Sequence, residues 1–348
     1  MRHVTAYSQL LVKSGVERSY LLSKERLKNL AECESLEDLI SQLGDSPYAL
    51  LLKNIKRPTA AMLQHLFKRE FIRVCNKIMD FSPEHVRSFI KSYLRYLEIE
   101  NLKVIIKMKN VGAPPNLILN ALHLYVEEVF GMKEKFIQAA KAENIDSIIK
   151  VFKNTVYGPI LSEGLTRYKE TGLTRFFDFS LDRTYYDRLL LSAENLPRGE
   201  REIALLVAGP KVDAFNIIVA FRSKLLGFPP HLTFWTITRR FYRLSERQVR
   251  NMVLSDSINS LLNYVKESFY RRFLASYGNI EELVTEFERN INYFILKNIG
   301  EKRITTPFTI ATPLEIILRK EIEMKNLISV SSGIEFGWKP KDIISVLL

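Results

Sequence analysis

The stretch that decides the fold is "NIIVAFRSKLLGFPP" at residues 216–230, because its pattern is written three times in the chain. The other copies are "NLKVIIKMKNVGAPP" at 101–115 and "NLISVSSGIEFGWKP" at 326–340. Each copy begins with an Asn, followed after ten residues by a Gly, and by a Pro three positions after the Gly. An acidic residue stands three positions before each Asn, just outside the quoted stretch. Self-similarity of this kind is typical of a protein built from tandem repeats.

The pattern predicts a long helix, a sharp corner and a second helix. Ten residues make nearly three helical turns. The Gly stands where a helix ends in the left-handed conformation, and the Pro suits the first turn of the next helix. The acid and the Asn share one helix face, so we expect a polar tie between neighbouring helices, with a functional site as the alternative. The pattern residues, interpreted as structural or as partner contacts, are Glu98, Asn101, Gly112, Pro115, Asp213, Asn216, Gly227, Pro230, Glu323, Asn326, Gly337 and Pro340.

A second block repeats with the same period. "SLEDLISQLGDSPYALLL" (35–52) aligns without a gap on residues 144–161 and again on residues 257–274. Three tyrosines coincide in this alignment: Tyr48, Tyr157 and Tyr270. An aromatic residue at a fixed place in a helical repeat is usually part of the core, so we expect these hydroxyl groups to be buried with a hydrogen-bond partner.

The remaining periodicity predicts an all-α protein. Apolar residues recur at helical spacing along most of the chain, and Ser245 and Gln248 have the spacing of a capping box. Residues 202–210 fit either a short strand or a buried helical turn, and residues 195–201 and 300–313 are predicted to be loops. The predicted helical domains are residues 1–118, 119–232 and 233–348.

Composition restricts the class of protein. The chain has 348 residues, of which 47% are hydrophobic and 26% charged, as in ordinary globular proteins. A net charge of +12 suits nucleic acid, an anionic membrane surface or an acidic protein partner. Neither a signal peptide nor a continuous apolar span is recognisable. We therefore expect a cytoplasmic protein or one that lies on a cytoplasmic membrane face.

Sequence motifs for catalysis are missing. The chain contains no nucleotide-binding glycine loop, no zinc-protease motif and no nucleophile elbow. The two cysteines and five histidines lack metal-ligand spacing. We therefore predict no catalytic, cofactor-binding or metal-binding residues. The main alternative is a helical scaffold that binds nucleic acid through "TRRFYRLSERQVR" (238–250), which interleaves arginines with aromatic residues.

The repeat sequences resemble a known family. Residues 87–115 and 312–348 are similar to the first and last repeats of the C subunit of archaeal and bacterial A/V-type ATPases, the homologue of the V-type ATPase d subunit. "CESLEDLISQLGDSPYALLL" (33–52) resembles the N-terminal block of that family. The resemblance covers the whole chain, and "KEIEMKNL" (320–327) with the corner after it is its most specific part.

The resemblance implies a fold and a role. It implies three similar helical domains around a pseudo-threefold axis, forming a funnel. It further implies a non-catalytic socket that links the central axle subunits D and F to the membrane ring of proteolipid subunits, with the membrane stator subunit as a further contact. Such a protein transmits torque for proton or sodium transport coupled to ATP synthesis or hydrolysis. It binds neither a cofactor nor a small-molecule substrate.

Overall fold

The fold is all-α, as predicted from the sequence. In this computed structural model the described residues are 2–53, 55–274 and 279–348, and residues 2–6 are described by backbone alone. No strand occurs within these ranges. In chain order the helices are α1 Arg2–Ser19, α2 Lys24–Leu30, α3 Leu36–Gln42, α4 Ala49–Leu52, α5 Ala60–Asp80, α6 Glu84–Asn110, α7 Pro115–Ala121, α8 Leu124–Phe130, α9 Lys133–Lys141, α10 Ile145–Phe152, α11 Gly158–Thr171, α12 Arg175–Glu194, α13 Arg198–Leu225, α14 Pro230–Thr236, α15 Glu246–Leu254, α16 Ile258–Lys266, a 3-10 helix Phe269–Phe273, α17 Ile280–Thr305, α18 Ala311–Glu335 and α19 Pro340–Ser345.

The ambiguous and loop-like segments of the sequence are more helical than predicted. Residues 202–210 lie inside α13, and the loop expected at 195–201 is only three residues long because α13 begins at Arg198. The loop expected at 300–313 is reduced to residues 306–310, because α17 continues to Thr305.

The chain divides into two compact units, Met1–Ile90 with Ile299–Leu348, and Lys91–Asn298. In the first unit α5 packs along α18, and α1 contacts both. Helix α5 is capped by Thr59, the residue before it, whose side chain accepts the N–H of Met62. Its apolar residues recur every three or four positions, so that Phe67 and Phe71 are fully buried.

The second unit has its core in α11, α12 and α13, which pack in sequence. Helix α13 is long and apolar enough to cross a membrane by composition, with a mean hydropathy of 1.7. However, 67% of that apolar window is buried inside the structure. A buried core helix has the same length and apolar composition as a membrane span, so the core position of α13 accounts for its apolar sequence.

Candidate functional site

The three predicted corners are present, and each begins with a left-handed glycine. Gly112, Gly227 and Gly337 have φ values of 75°, 66° and 68°, which confirms the predicted conformation. After α13, the N–H of Phe228 donates to the carbonyl of Ser223 at 2.8 Å, as in a Schellman motif. The corresponding donors and acceptors are Ala113 with Met108 and Trp338 with Gly333. The next helix begins at the pattern proline in each copy: Pro115, Pro230 and Pro340.

The asparagine of each pattern is hydrogen-bonded to the main chain just beyond the short helix, and this bond is called the asparagine clamp. Asn216 accepts the N–H of Thr238 at 2.9 Å and donates its amide to Thr238 Oγ1 at 2.7 Å. Thr238 lies 22 residues further on, beyond the short helix α14. The same separation of 22 residues recurs in the other two copies, where the partners are His123 for Asn101 and Leu348 for Asn326. One buried amide therefore fixes the angle between the long helix and the short helix.

The acidic residue of the second copy organises a loop. Asp213 is fully buried and accepts the N–H groups of Tyr242, Arg243 and Leu244 at 3.0, 2.6 and 3.0 Å. The hydroxyl of Tyr270 donates to the same carboxylate at 2.8 Å. Burial raises the pKa of Asp213, while the four donors oppose that rise by stabilising the ionised form. Three consecutive main-chain amides are thus held by one side chain.

The acidic residue of the third copy lies in a buried ion pair. Glu323 accepts the Tyr48 hydroxyl at 2.7 Å, the Lys320 ammonium at 2.6 Å and the N–H of Leu22 at 2.6 Å. Lys320 also lies over the Tyr48 ring, 4.5 Å from its centroid. Burial and the adjacent Glu323 carboxylate raise the pKa of Tyr48 well above its ordinary value, so the hydroxyl remains a donor. This cluster ties Leu22, between α1 and α2, and Tyr48 of the 35–52 block to α18.

The acidic residue of the first copy shares its site with a second carboxyl group. Glu98 accepts the Tyr157 hydroxyl at 2.6 Å and the Arg95 guanidinium at 2.6 Å. Glu127, on α8, accepts the amide of Asn101 at 2.7 Å and interacts electrostatically with Glu98. Burial, followed by repulsion from Glu98, raises the pKa of Glu127 to about 9. A pKa raised this far favours the protonated form of Glu127 at neutral pH.

The structure brings together residues that belong to different predicted repeats. Tyr157 pairs with Glu98 and Tyr270 with Asp213, so each tyrosine bonds the acid of the copy before it. Tyr48, in the first block, pairs with Glu323, 275 residues away. The predicted domain boundaries stay a prediction. The tyrosine hydroxyl groups are buried and satisfied, as expected.

Sequence reasoning missed Arg95 and Lys320, the cations that pair with two of the acids. A usable signal existed, since each stands three residues before its acid on the same helix. Glu127 carried no such signal, because it reaches the site from another helix. Among residues 2–53, 55–274 and 279–348, no group of three or more His, Cys, Asp or Glu side chains is placed to hold a metal ion.

The arginine-rich stretch at 238–250 is not a single helix. Helix α14 ends at Thr236 and α15 begins at Glu246, where the predicted capping box of Ser245 and Gln248 is present. Arg240 pairs with Glu194 at 2.7 Å. The intervening residues form an irregular loop, whose main chain Asp213 and Asn216 hold.

Tyr242, one of the two aromatic residues of this stretch, is engaged within the protein. The Tyr242 ring covers Gly209, where an added Cβ would collide with it. The Arg243 guanidinium lies over the rings of Tyr242 and Phe269, 5.1 and 5.6 Å from their centroids. Tyr242 is therefore not free to stack on a nucleic-acid base.

The fold and these clusters define an all-α protein in which one buried arrangement, called the lock, occurs three times. In each lock an acid of the long helix accepts a tyrosine hydroxyl, and the asparagine three residues later bonds the main chain 22 residues further on. The family model described as "ATP synthase (C/AC39) subunit" matches residues 13–345. The chain therefore belongs to that family, and the resemblance stated from the repeats is confirmed.

Curated relatives extend over nearly the full chain. The C subunit of the A-type ATP synthase of Methanocaldococcus jannaschii is 23% identical, with 99% of this chain and 86% of the relative covered. The corresponding C subunit of Thermococcus gammatolerans is 25% identical, with 100% of this chain and 91% of the relative covered. A third relative of the same name, from a Desulfurococcus species, is 24% identical, with 97% of this chain and 90% of the relative covered.

Proposed function

We propose that this chain is a non-catalytic central-stalk component of a rotary A/V-type ATPase. It acts as a socket that joins the axle subunits D and F to the proteolipid ring on the cytoplasmic face of the membrane. It passes torque that couples proton or sodium transport to ATP synthesis or hydrolysis. Three similar helical domains around a pseudo-threefold axis, forming a funnel, are part of this proposal.

The triple lock is the observation that carries the proposal. In each copy the long helix presents a buried acid that accepts a tyrosine hydroxyl, and an asparagine that clamps the corner beyond it. Hydrogen bonds to buried charged groups contribute about 1.5–3 kcal/mol each and lose much of that when the geometry is disturbed. A part that transmits torque must resist bending at its corners, and in each copy the asparagine clamp links the long helix to the chain beyond the short helix.

Each corner also offers an apolar contact. The residue before the left-handed glycine is Val111, Leu226 or Phe336, and these side chains are 78%, 63% and 72% exposed. A single exposed apolar side chain is common on protein surfaces, but the same exposed position in all three copies suits contact with a partner. Lysines stand close by in sequence at each corner: Lys109, Lys224 and Lys339. Apolar side chains flanked by basic groups fit acidic protein loops or lipid headgroups.

The experiment compares two triple variants in the assembled complex. The corner variant changes Val111, Leu226 and Phe336 to Ser. The matched control changes three exposed apolar residues away from the corners to Ser, namely Val12, Tyr293 and Ile304, which are 67%, 70% and 72% exposed. The measurements are co-purification with the proteolipid ring and the head from detergent extracts, and ATP-driven ion pumping by reconstituted vesicles.

The expected result is selective. The corner variant loses the ring or the axle, pumping falls, and ATP hydrolysis by the head continues uncoupled. The control variant pumps normally. Equal recovery and equal pumping by the two variants would contradict the proposal that the corners carry the partner contacts. Because the net charge is +12, raising the ionic strength is also expected to ease detachment from the complex.

A further inference from the structure

A groove lies beside the short helix α14 in the second unit. Its volume is about 320 Å³, and its floor is apolar. Phe234 and Phe241 are partly exposed, whereas Ile237 and Val249 are buried and close the bottom of the groove. A concave apolar surface of this size accepts one or two large side chains from another molecule.

The rim of the groove is basic. Arg239 and Arg250 line it and are exposed. The N–H of Arg239 donates to Asp187 at 3.0 Å, and the Arg239 charge stabilises that carboxylate. Among the residues that line the groove, two guanidinium groups stand against one carboxylate, that of Glu246. Guanidinium groups bind carboxylates in a planar, bidentate fashion, and a site that excludes water strengthens the pair.

The groove is held in shape by the second copy of the lock. Asn216 fixes Thr238, whose hydroxyl in turn donates to the carbonyl of Arg240 at 2.8 Å. Asp213 holds the amides of the residues that follow, 242–244. The loop therefore has a defined main chain before any partner arrives, which reduces the entropy cost of binding.

The first copy has no equivalent loop. Helix α8 begins at Leu124, three residues after α7 ends at Ala121, and the clamp of Asn101 closes directly on His123. In the second copy, nine residues, 237–245, separate α14 from α15. The groove thus distinguishes one corner from another in a chain whose corners otherwise repeat.

We propose that this groove binds an acidic amphipathic segment of a partner protein. One or two apolar side chains of the segment enter between Phe234 and Phe241, and its carboxylates pair with Arg239 and Arg250. This inference goes beyond the proposed function, because it depends on the groove and not on the complex that the chain serves. The apolar floor and the internally packed Tyr242 favour a peptide over a nucleic acid.

The test uses the full chain and a defined probe. The probe is a fluorescein-labelled helical peptide of about 18 residues, with Leu at the i, i+3, i+4 and i+7 positions and Glu elsewhere. Fluorescence anisotropy measures its affinity for the unmodified protein and for Arg239→Glu/Arg250→Glu. Close charge pairs contribute about tenfold or more each in affinity, so the double variant is expected to bind at least tenfold more weakly. The control is Arg247→Glu, which makes the same kind of charge change beside the groove and is expected to alter the affinity less than threefold.

Two further measurements separate the groove from general electrostatics. Phe241→Ser is expected to weaken binding about tenfold without any change of charge, and a peptide with Lys in place of Glu is expected to bind Arg239→Glu/Arg250→Glu better than it binds the unmodified protein. Circular dichroism confirms that the variants, all at solvent-accessible positions, keep their helix content.

Three results overturn the inference. The first is no saturable peptide binding by the unmodified protein. The second is an equal loss of affinity in Arg247→Glu and in the double variant. The third is tighter binding of a single-stranded oligonucleotide of about 20 nucleotides than of the peptide, lost in the same double variant. That result would assign the basic stretch to nucleic acid.

Discussion

Asp213→Asn is the substitution that tests the lock most directly. Asp213 accepts four hydrogen bonds, three from the consecutive amides of residues 242–244 and one from Tyr270. Asparagine has nearly the same shape but only one acceptor oxygen. If that oxygen takes the place of Oδ2, its NH2 group faces the N–H of Tyr242, and two donors oppose one another.

The structure gives the size of the expected loss. Hydrogen bonds to a charged acceptor contribute about 1.5–3 kcal/mol, and neutral ones about 0.5–1.5 kcal/mol. Three retained bonds each lose about 1 kcal/mol, and the opposed Tyr242 amide costs a further 1–3 kcal/mol as a buried unsatisfied donor. The pKa of Asp213 is raised by its burial, so part of its charge advantage is already offset. We therefore expect Asp213→Asn to destabilise the second unit by about 3–5 kcal/mol. Tyr270→Phe, which removes one of the four donors, is expected to cost about 1.5–3 kcal/mol.

Native-state hydrogen exchange is the appropriate assay, because it reads local opening and does not require the chain to unfold in one step. In the unmodified protein the amides of Tyr242, Arg243 and Leu244 are expected to exchange slowly, although they lie outside any helix. In Asp213→Asn their protection is expected to fall by two orders of magnitude or more. If the three amides remain as protected as before, the carboxylate does not hold the loop. Glu194→Gln is a suitable control, since it removes a half-exposed partner of Arg240 and is expected to leave these amides protected.

Three other substitutions test a corner glycine and the acid clusters of the first and third copies. Gly227→Ala is expected to lower the free energy of unfolding in urea by about 1 kcal/mol, because residue 227 has a left-handed conformation although an added Cβ would meet no other atom. The control Gly199→Ala, in an ordinary helical conformation with equal space, is expected to raise it by about 0.5–1 kcal/mol. Equal effects of the two substitutions would show that the backbone conformation is not the cause. The pKa of Glu127 is raised to about 9 from an ordinary 4.5, so the stability it provides is complete below pH 4.5 and is lost as the pH rises towards 9. The free energy of unfolding is thus expected to fall with pH by up to about 1.4 kcal/mol per pH unit, and Glu127→Gln, which mimics the protonated group, is expected to flatten this slope. An unchanged slope in the variant would assign the titration to another group. Lys320→Met is expected to cost about 3–5 kcal/mol by leaving Glu323 buried with no cation, measured by thermal unfolding, and a neutral result would show that Tyr48 and the Leu22 amide suffice.

The corners could be predicted from the sequence because their causes are local. A left-handed helix end requires a residue without a Cβ, so Gly112, Gly227 and Gly337 were identifiable from one chain. The proline that starts the next helix is fixed by the same local geometry. The asparagine was correctly placed in a polar tie, although its partner 22 residues away follows from the length of the short helix, which the pattern does not contain.

The partners of the acids could not be predicted, because they come from distant parts of the chain. The spacing of the tyrosine block and the helix pattern is similar in either direction along the sequence. Whether Tyr157 bonds Glu98 before it or Asp213 after it depends on which helices pack together. The irregular loop at 237–245 was also missed, since its arginines and aromatic residues have a spacing that fits a helix until Asp213 is seen to take its amides.

The order of the pairings bears on how a repeated chain ends. In a linear series of repeats, the first block and the last helix pattern would each lack a neighbour, and such ends need special capping. Here the tyrosine of the first block, Tyr48, satisfies the acid of the last pattern, Glu323, inside one compact unit. Each of the three repeat tyrosines therefore bonds one of the three repeat acids, and each of these acids is used once. When torque is applied across a repeat protein, the repeat that lacks such a bond is expected to deform first. This cyclic pairing supports the proposed role as a torque-bearing socket.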